Sequence, residues 1–199
     1  MSLKMILVAA MALVMVSCGG GGGGSSAATQ KKSATASFRA ISALGPAIFT
    51  SLLSNKPRLQ ATETIALTCD SGAGTIDVTS TDTSLAIVLK TSDAGCTESG
   101  TTTKATGAGL SMTFTGSGDY ETSNYSFTLA INGGATITTG SSTEAFTYSN
   151  FSVKFDVQNT GTAQNPVISV TITFNGSVTS TADGVQTFNN VVYNSSDLN

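Results

Sequence analysis

The chain has 199 residues, of which 40% are hydrophobic and 11% charged, with a formal charge of −3 at pH 7; this suits one ordinary domain plus a short appendage and excludes two large ones. It contains 32 Thr and 27 Ser but no His and no Trp, which removes Ser-His-Asp and Cys-His catalysis and HExxH zinc sites. All twelve carboxylates lie at or after Glu63, whereas Lys4, Lys31, Lys32, Arg39, Lys56 and Arg58 precede it. Residues 59–199 therefore carry three Lys against twelve acids. An acidic body without clustered Lys or Arg argues against nucleic acid as a partner.

At the amino terminus, Lys4 is followed by an apolar run from Met5 to Val16 and then by Ser17, Cys18 and Gly19 to Gly24. The run is shorter than the roughly 20 residues a spanning helix needs, but it fits the core of a secretory signal. Met15-Val16-Ser17-Cys18 resembles the bacterial lipobox, with Met15 where Leu is more usual. The resemblance implies a lipoprotein signal peptide over residues 1–17, acylation of Cys18, and a membrane as partner through the anchor. Gly19 is not the Asp that typically retains such proteins at the inner membrane in enteric bacteria, so the resemblance implies an outer-membrane lipoprotein facing the periplasm or the cell surface. The alternative is an ordinary cleaved signal followed by an incidental Cys.

Residues 18–32, with six glycines followed by Ser, Ala, Thr, Gln and two Lys, form a flexible tether, because they have too little apolar surface to order themselves. Over residues 33–58, Phe38, Ile41, Leu44, Ile48 and Leu52 recur at three- and four-residue steps. This predicts a helix, divided or kinked at Pro46, packed on one face of the following domain. A close fit of Phe38, Ile41, Leu44 and Leu52 onto that face would fill the space a ligand would need.

From residue 59 onward the period is two, which predicts a mainly β domain, a curved antiparallel meander of about nine strands. Strands near 62–69, 74–80 and 84–90 would return the chain to the end of the sheet where Cys69 lies. Cys69 and Cys96, the pair left after Cys18, are then expected to form a disulfide at one rim. A catalytic or metal-binding thiol pair is the alternative, with little support from the long spacing or from a chain without His. Asn132-Gly133, between Phe127/Leu129/Ile131 and Ala135/Ile137, predicts a tight hairpin. Apolar residues pass from even positions (Phe146, Tyr148) to odd ones (Phe151, Val153, Phe155, Val157), which predicts a bulge or turn near Ser149-Asn150. Ile168 to Phe174 forms a further strand, separated by Ala182-Asp183-Gly184 from a last one near 185–193.

No segment assembles a convincing catalytic or metal centre, and no cofactor is expected. Gly72-Ala73-Gly74 and Gly107-Ala108-Gly109 precede strands without a phosphate-binding Lys, and read as turn glycines. Asp70, Asp77, Asp82 and Asp93 match no calcium-loop spacing. Asp119 and Glu121 would share a face if extended, as paired glycosidase carboxylates do, but a polar turn around Gly116 to Asp119 explains them more simply. Asn124, Asn150, Asn175 and Asn194 begin glycosylation-type triplets that read as incidental in a Ser- and Asn-rich chain. Outer-membrane barrels also alternate, but they carry aromatic girdles and a terminal aromatic residue, whereas this chain ends Ser196-Asp197-Leu198-Asn199. A half-open sheet with a helix on one face resembles the half-barrel of lipoprotein carriers and related mycobacterial lipid-binding lipoproteins, a likeness that would imply lipid carriage. The expected role is therefore non-enzymatic, structural or interactive, with a protein or lipid partner; a carrier of an apolar ligand comes second and a His-free hydrolase third.

Overall fold

Alternation of apolar residues with Thr and Ser builds eight strands in a computed structural model that describes residues 62–81, 83–119, 124–162, 165 and 167–194. They are β1 (Thr62–Ala66), β2 (Ser71–Ser80), β3 (Ser84–Glu98), β4 (Thr101–Asp119), β5 (Asn124–Thr139), β6 (Ser142–Asn159), β7 (Ile168–Ser180) and β8 (Gly184–Asn194). Each pairs antiparallel with its neighbours in sequence, giving one sheet in the order β1 to β8. Among the described residues β1 and β8 do not pair, so the sheet is open. The expected mainly β antiparallel meander is present. Cys18, the tether and the segment 33–58 expected as a helix lie outside the described residues.

Among the described residues there are eight strands, and Asn132-Gly133 does not separate two of them. It makes no hairpin: β5 runs through it, with a register break between Ile131 and Gly133. Gly133, at φ +98°, sits opposite the extra residues of β4 and β6, so its positive dihedral serves a bulge site rather than a turn. The glycine runs are likewise not turns before strands. Gly72 and Gly74 bracket a register shift inside β2, and Gly107 to Gly109 fill the shift between Thr106 and Leu110 inside β4. Gly116 to Asp119, expected in a turn, continue β4.

The true turns are elsewhere. Ser99-Gly100, at φ +50° and +78°, joins β3 to β4 in the doubly positive conformation whose twist matches a two-residue hairpin. Asp70 Oδ2 accepts a hydrogen bond from the Ser99 N–H at 2.9 Å and holds that turn.

Successive bulges line up across the sheet. Asn150 in β6 and Asn190 in β8 are extra residues against their partners, at φ +48° and +49°. The phase change expected near Ser149-Asn150 is this bulge. Each extra residue is tied to the neighbouring strand. Asn132 Oδ1 accepts the Asn150 N–H at 2.7 Å, and Asn175 Oδ1 accepts the Asn190 N–H at 2.8 Å. Gly133 and Gly176 lie where the next strand presses close: a Cβ would stand 2.1 Å from the Gly109 carbonyl oxygen in one case and 2.1 Å from that of Asn150 in the other. Across from these glycines are Tyr148 and Phe188, large rings that shield backbone lacking a side chain. The bulge line crosses strands as long as 19 residues, and a bulge locally increases the twist of the strand that carries it.

That side holds a continuous core from Ile65 through Ile76, Leu85, Leu110 and Ile131 to Phe188. Its largest fully buried side chain is Phe151, whose ring lies 5.7 Å from that of Phe188 and 6.3 Å from that of Phe174. Phe127 stacks on Phe155 at 4.5 Å. Burying such a ring contributes roughly 1.5–3 kcal/mol, with about 0.5–1.5 kcal/mol more for the ring pair.

Candidate functional site

Cys69, in the connection after β1, and Cys96, in β3, form a disulfide with Cα atoms 5.3 Å apart. The expected pairing is present, although β3 runs past residue 90 to Glu98, so Cys96 is a strand residue near the β3–β4 turn rather than a loop residue. Gly72 pairs with Cys96 and approaches the Gly95 carbonyl so closely that a Cβ would lie 2.0 Å from it. The bridge thus fastens the short β1–β2 end of the sheet to β3. Its sulfurs are oxidised to each other, which takes them out of consideration as a thiol pair for metal.

The aspartates do not converge. Asp70 holds the Ser99 turn; Asp77, on the outer face, accepts hydrogen bonds from Lys90 Nζ at 2.7 Å and Thr64 Oγ1 at 2.7 Å. The Lys90 and Thr64 hydrogen bonds hold the Asp77 carboxyl below its ordinary range. Asp93 is exposed in β3 beyond Lys90, and Asp82 and Glu121 lie outside the described residues. Among the described residues no group of three or more His, Cys, Asp or Glu side chains is placed to hold a metal ion. Asn124, Asn150 and Asn175 serve the sheet itself: Asn124 Oδ1 accepts the Asn159 N–H at 3.1 Å, and the other two belong to the bulge line.

Two features escaped the sequence reading. The first is Tyr148, 3% exposed within the aromatic cluster, its buried hydroxyl without a hydrogen-bond partner among the described residues. Burial, with a smaller contribution from the Glu144 charge, pushes its phenol well above the ordinary value. As one more apolar-phase residue in a strand, it gave no signal of its own. The second is the β7–β8 hairpin. The large apolar side chains that remain exposed among the described residues, Val167, Ile168, Val185 and Val192, all lie on or beside it. Neither strand contains a charged residue, whereas β1 at the opposite edge has five residues and carries Glu63. The sequence did hold this signal, since Asp183 is the one charge between Asp156 and Asp197.

A recurrence also went unread. Ser84-Leu85-Ala86-Ile87-Val88-Leu89, Ser126-Phe127-Thr128-Leu129-Ala130-Ile131 and Ser169-Val170-Thr171-Ile172-Thr173-Phe174 lie at or within two residues of the start of β3, β5 and β7 and share one pattern. Each ends at an equivalent pair before the bulge line: Leu89 with Leu110, Ile131 with Phe151, Phe174 with Val191. The β5–β6 and β7–β8 hairpins share a one-residue bulge tied by an Asn pair, whereas β3–β4 keeps one register on both sides of the bulge line. No known family model, curated protein or solved structure matches the chain.

Proposed function

We propose that the protein is a lipid-anchored component of a bacterial cell envelope, held at Cys18 on the outer membrane, that acts through its sheet as a structural or interaction surface rather than as an enzyme. The observation that carries this reading is the division of the sheet: one face is devoted to a continuous core, and the other meets solvent with Thr and Ser hydroxyls next to an uncharged edge. The lipobox-like Met15-Val16-Ser17-Cys18 and the glycine tether supply the anchor and the reach, and segment 33–58 packs its apolar stripe on the core face. Two or three acyl chains, at about 0.8 kcal/mol per buried methylene, suffice for stable attachment. Detergent partitioning of the full chain tests the anchor. The wild type is expected in the detergent phase and Cys18→Ser in the aqueous phase; equal partitioning into water overturns it.

The second reading, carriage of an apolar ligand, is favoured by the Tyr148 hydroxyl, which has no hydrogen-bond partner among the described residues. A buried hydroxyl without a partner costs about 1–3 kcal/mol, and a ligand acceptor group would relieve that cost. Mass spectrometry of gently purified protein distinguishes the two. A stoichiometric co-purified lipid, lost in Tyr148→Phe, supports the carrier; protein free of lipid supports the interaction surface.

A further inference from the structure

We infer that the Tyr148 hydroxyl is the polar contact that seats segment 33–58 on the core face, donating its hydrogen bond to a backbone carbonyl freed at Pro46. This rests on the reading of 33–58 as the cover of the sheet and specifies how the cover is held. Among the described residues the strands form a single sheet, and its core face is buried so completely that Ile76, Val78, Phe151 and Val153 have no exposed surface. A sheet buries such a face against a second layer. Outside the described residues, 18–32 offers only Cys18 and two alanines and 195–199 only Leu198, whereas 33–58 carries the periodic apolar stripe and joins β1 through three residues, 59–61.

Strand register sets the span to be covered. Ile65, Ile76, Leu89, Leu110, Gly133 and Tyr148 are successive partners from β1 to β6, so Tyr148 lies five strand spacings from β1, about 24 Å at roughly 4.8 Å each. A helix running back from Arg58 across the sheet extends about 18 Å to Pro46 and about 24 Å to Ser42, at roughly 1.5 Å per residue, and residues 59–61 add about 10 Å. Ser42 to Pro46 is thereby brought within reach of Tyr148. Pro46 has no N–H, so in a helix the Ser42 carbonyl loses its donor. Gly45, on the stripe between Ile41 and Ile48, puts no side chain between that backbone and the sheet. The segment thus offers an acceptor without a donor, and β6 offers a donor without an acceptor among the described residues; each is costly when buried alone. The rings of Phe146 and Phe151, 6.5 and 5.8 Å from that of Tyr148, hold the donor in place. At the other end of the segment, Lys56 and Arg58 approach the β1 edge, where exposed Glu63 shares the core side of the strand with Ile65.

Hydrogen exchange of the full chain in detergent, read by mass spectrometry on peptides from 33–58, tests it. The wild type is expected to protect these amides, and Tyr148→Phe to raise their exchange by about fivefold to tenfold while β3 and β4 keep theirs. Pro46→Ala returns a helical donor to the Ser42 carbonyl, so in that background Tyr148→Phe is expected to change the exchange of 33–58 by less than about twofold. An unchanged circular dichroism spectrum certifies the fold of each variant. Equal effects of Tyr148→Phe in the two backgrounds overturn the inference, as does protection of 33–58 that Tyr148→Phe leaves untouched; in both cases the packing of 33–58 on the sheet stands. Unprotected 33–58 amides in the wild type overturn that packing as well. A stoichiometric co-purified lipid lost in Tyr148→Phe gives the hydroxyl to a ligand and overturns the inference in favour of the carrier.

Discussion

Replacing Gly133 with alanine isolates what the bulge line demands of the backbone. A Cβ at Gly133 would lie 2.1 Å from the Gly109 carbonyl oxygen, with the Gly109 carbonyl carbon and the Leu110 Cα next nearest at 3.2 and 3.3 Å. All three are backbone atoms of β4, so no side-chain rotation relieves the clash. Reaching ordinary contact requires β4 and β5 to separate by about 1 Å, an overpacking strain of roughly 1–3 kcal/mol. The φ of +98° adds about 1–2 kcal/mol for any residue with a side chain. Gly140→Ala is the matched control, since Gly140 also has positive φ (+59°) but nothing within 4 Å of a built Cβ. The expected losses are therefore about 2–5 kcal/mol for Gly133→Ala and about 1 kcal/mol for Gly140→Ala, against a total stability of about 5–15 kcal/mol. Urea titration of the full chain in detergent, followed by far-ultraviolet circular dichroism, reads the difference as a shift in midpoint at constant slope. If the two variants lose the same stability, close approach across the bulge line is not what fixes glycine there.

Three further outcomes follow from particular contacts. Reducing Cys69–Cys96, or replacing Cys96 with serine, is expected to lower stability by about 3–4 kcal/mol from released loop entropy, measured as urea midpoints with and without reductant. Asn132→Ala and Asn175→Ala each remove the acceptor for a bulge N–H, of Asn150 and Asn190 respectively. Each is expected to cost about 1–3 kcal/mol where that donor is left unpaired, with faster amide exchange at Asn150 or Asn190 as the local signature. The lowered pKa of Asp77 means its carboxylate contributes stability that is present above the ordinary value of 3.8 and is lost as pH falls through the depressed folded value. Asp77→Asn is therefore expected to flatten the stability curve below about pH 4, and an acid titration as steep as that of the wild type would contradict the assignment.

The strand periods were legible because one face of each strand is buried: Ile168 to Phe174 and the run after Ala182-Asp183-Gly184 emerge where expected, as does the phase change at Asn150. The disulfide was legible from cysteine number and meander geometry. Asn132-Gly133 was misread because positive φ is a local requirement shared by hairpins and bulges. What separates them is whether the pairing continues, and that depends on β4 and β6. Gly107 to Gly109 hid a bulge for the same reason. The edge character of β8 depended on strand order, although its lack of charge was visible. Tyr148 differs from neighbouring core rings only by a hydroxyl whose isolation is a property of packing.

The strictly sequential pairing of β1 to β8 also governs how the chain reaches this structure. No step requires distant segments to meet first: after one hairpin forms, each later strand closes a short loop onto an edge already present, so the entropy of loop closure is spread over many small increments. Assembly of this kind resembles propagation along a repeat array, in which nucleation at one hairpin suffices and growth proceeds outward. Unfolding should then fray from the ends inward. The Cys69–Cys96 bridge secures the β1–β3 end, which leaves β8 as the first strand to detach and gives amide exchange a gradient running from the carboxy-terminal edge toward β4 and β5.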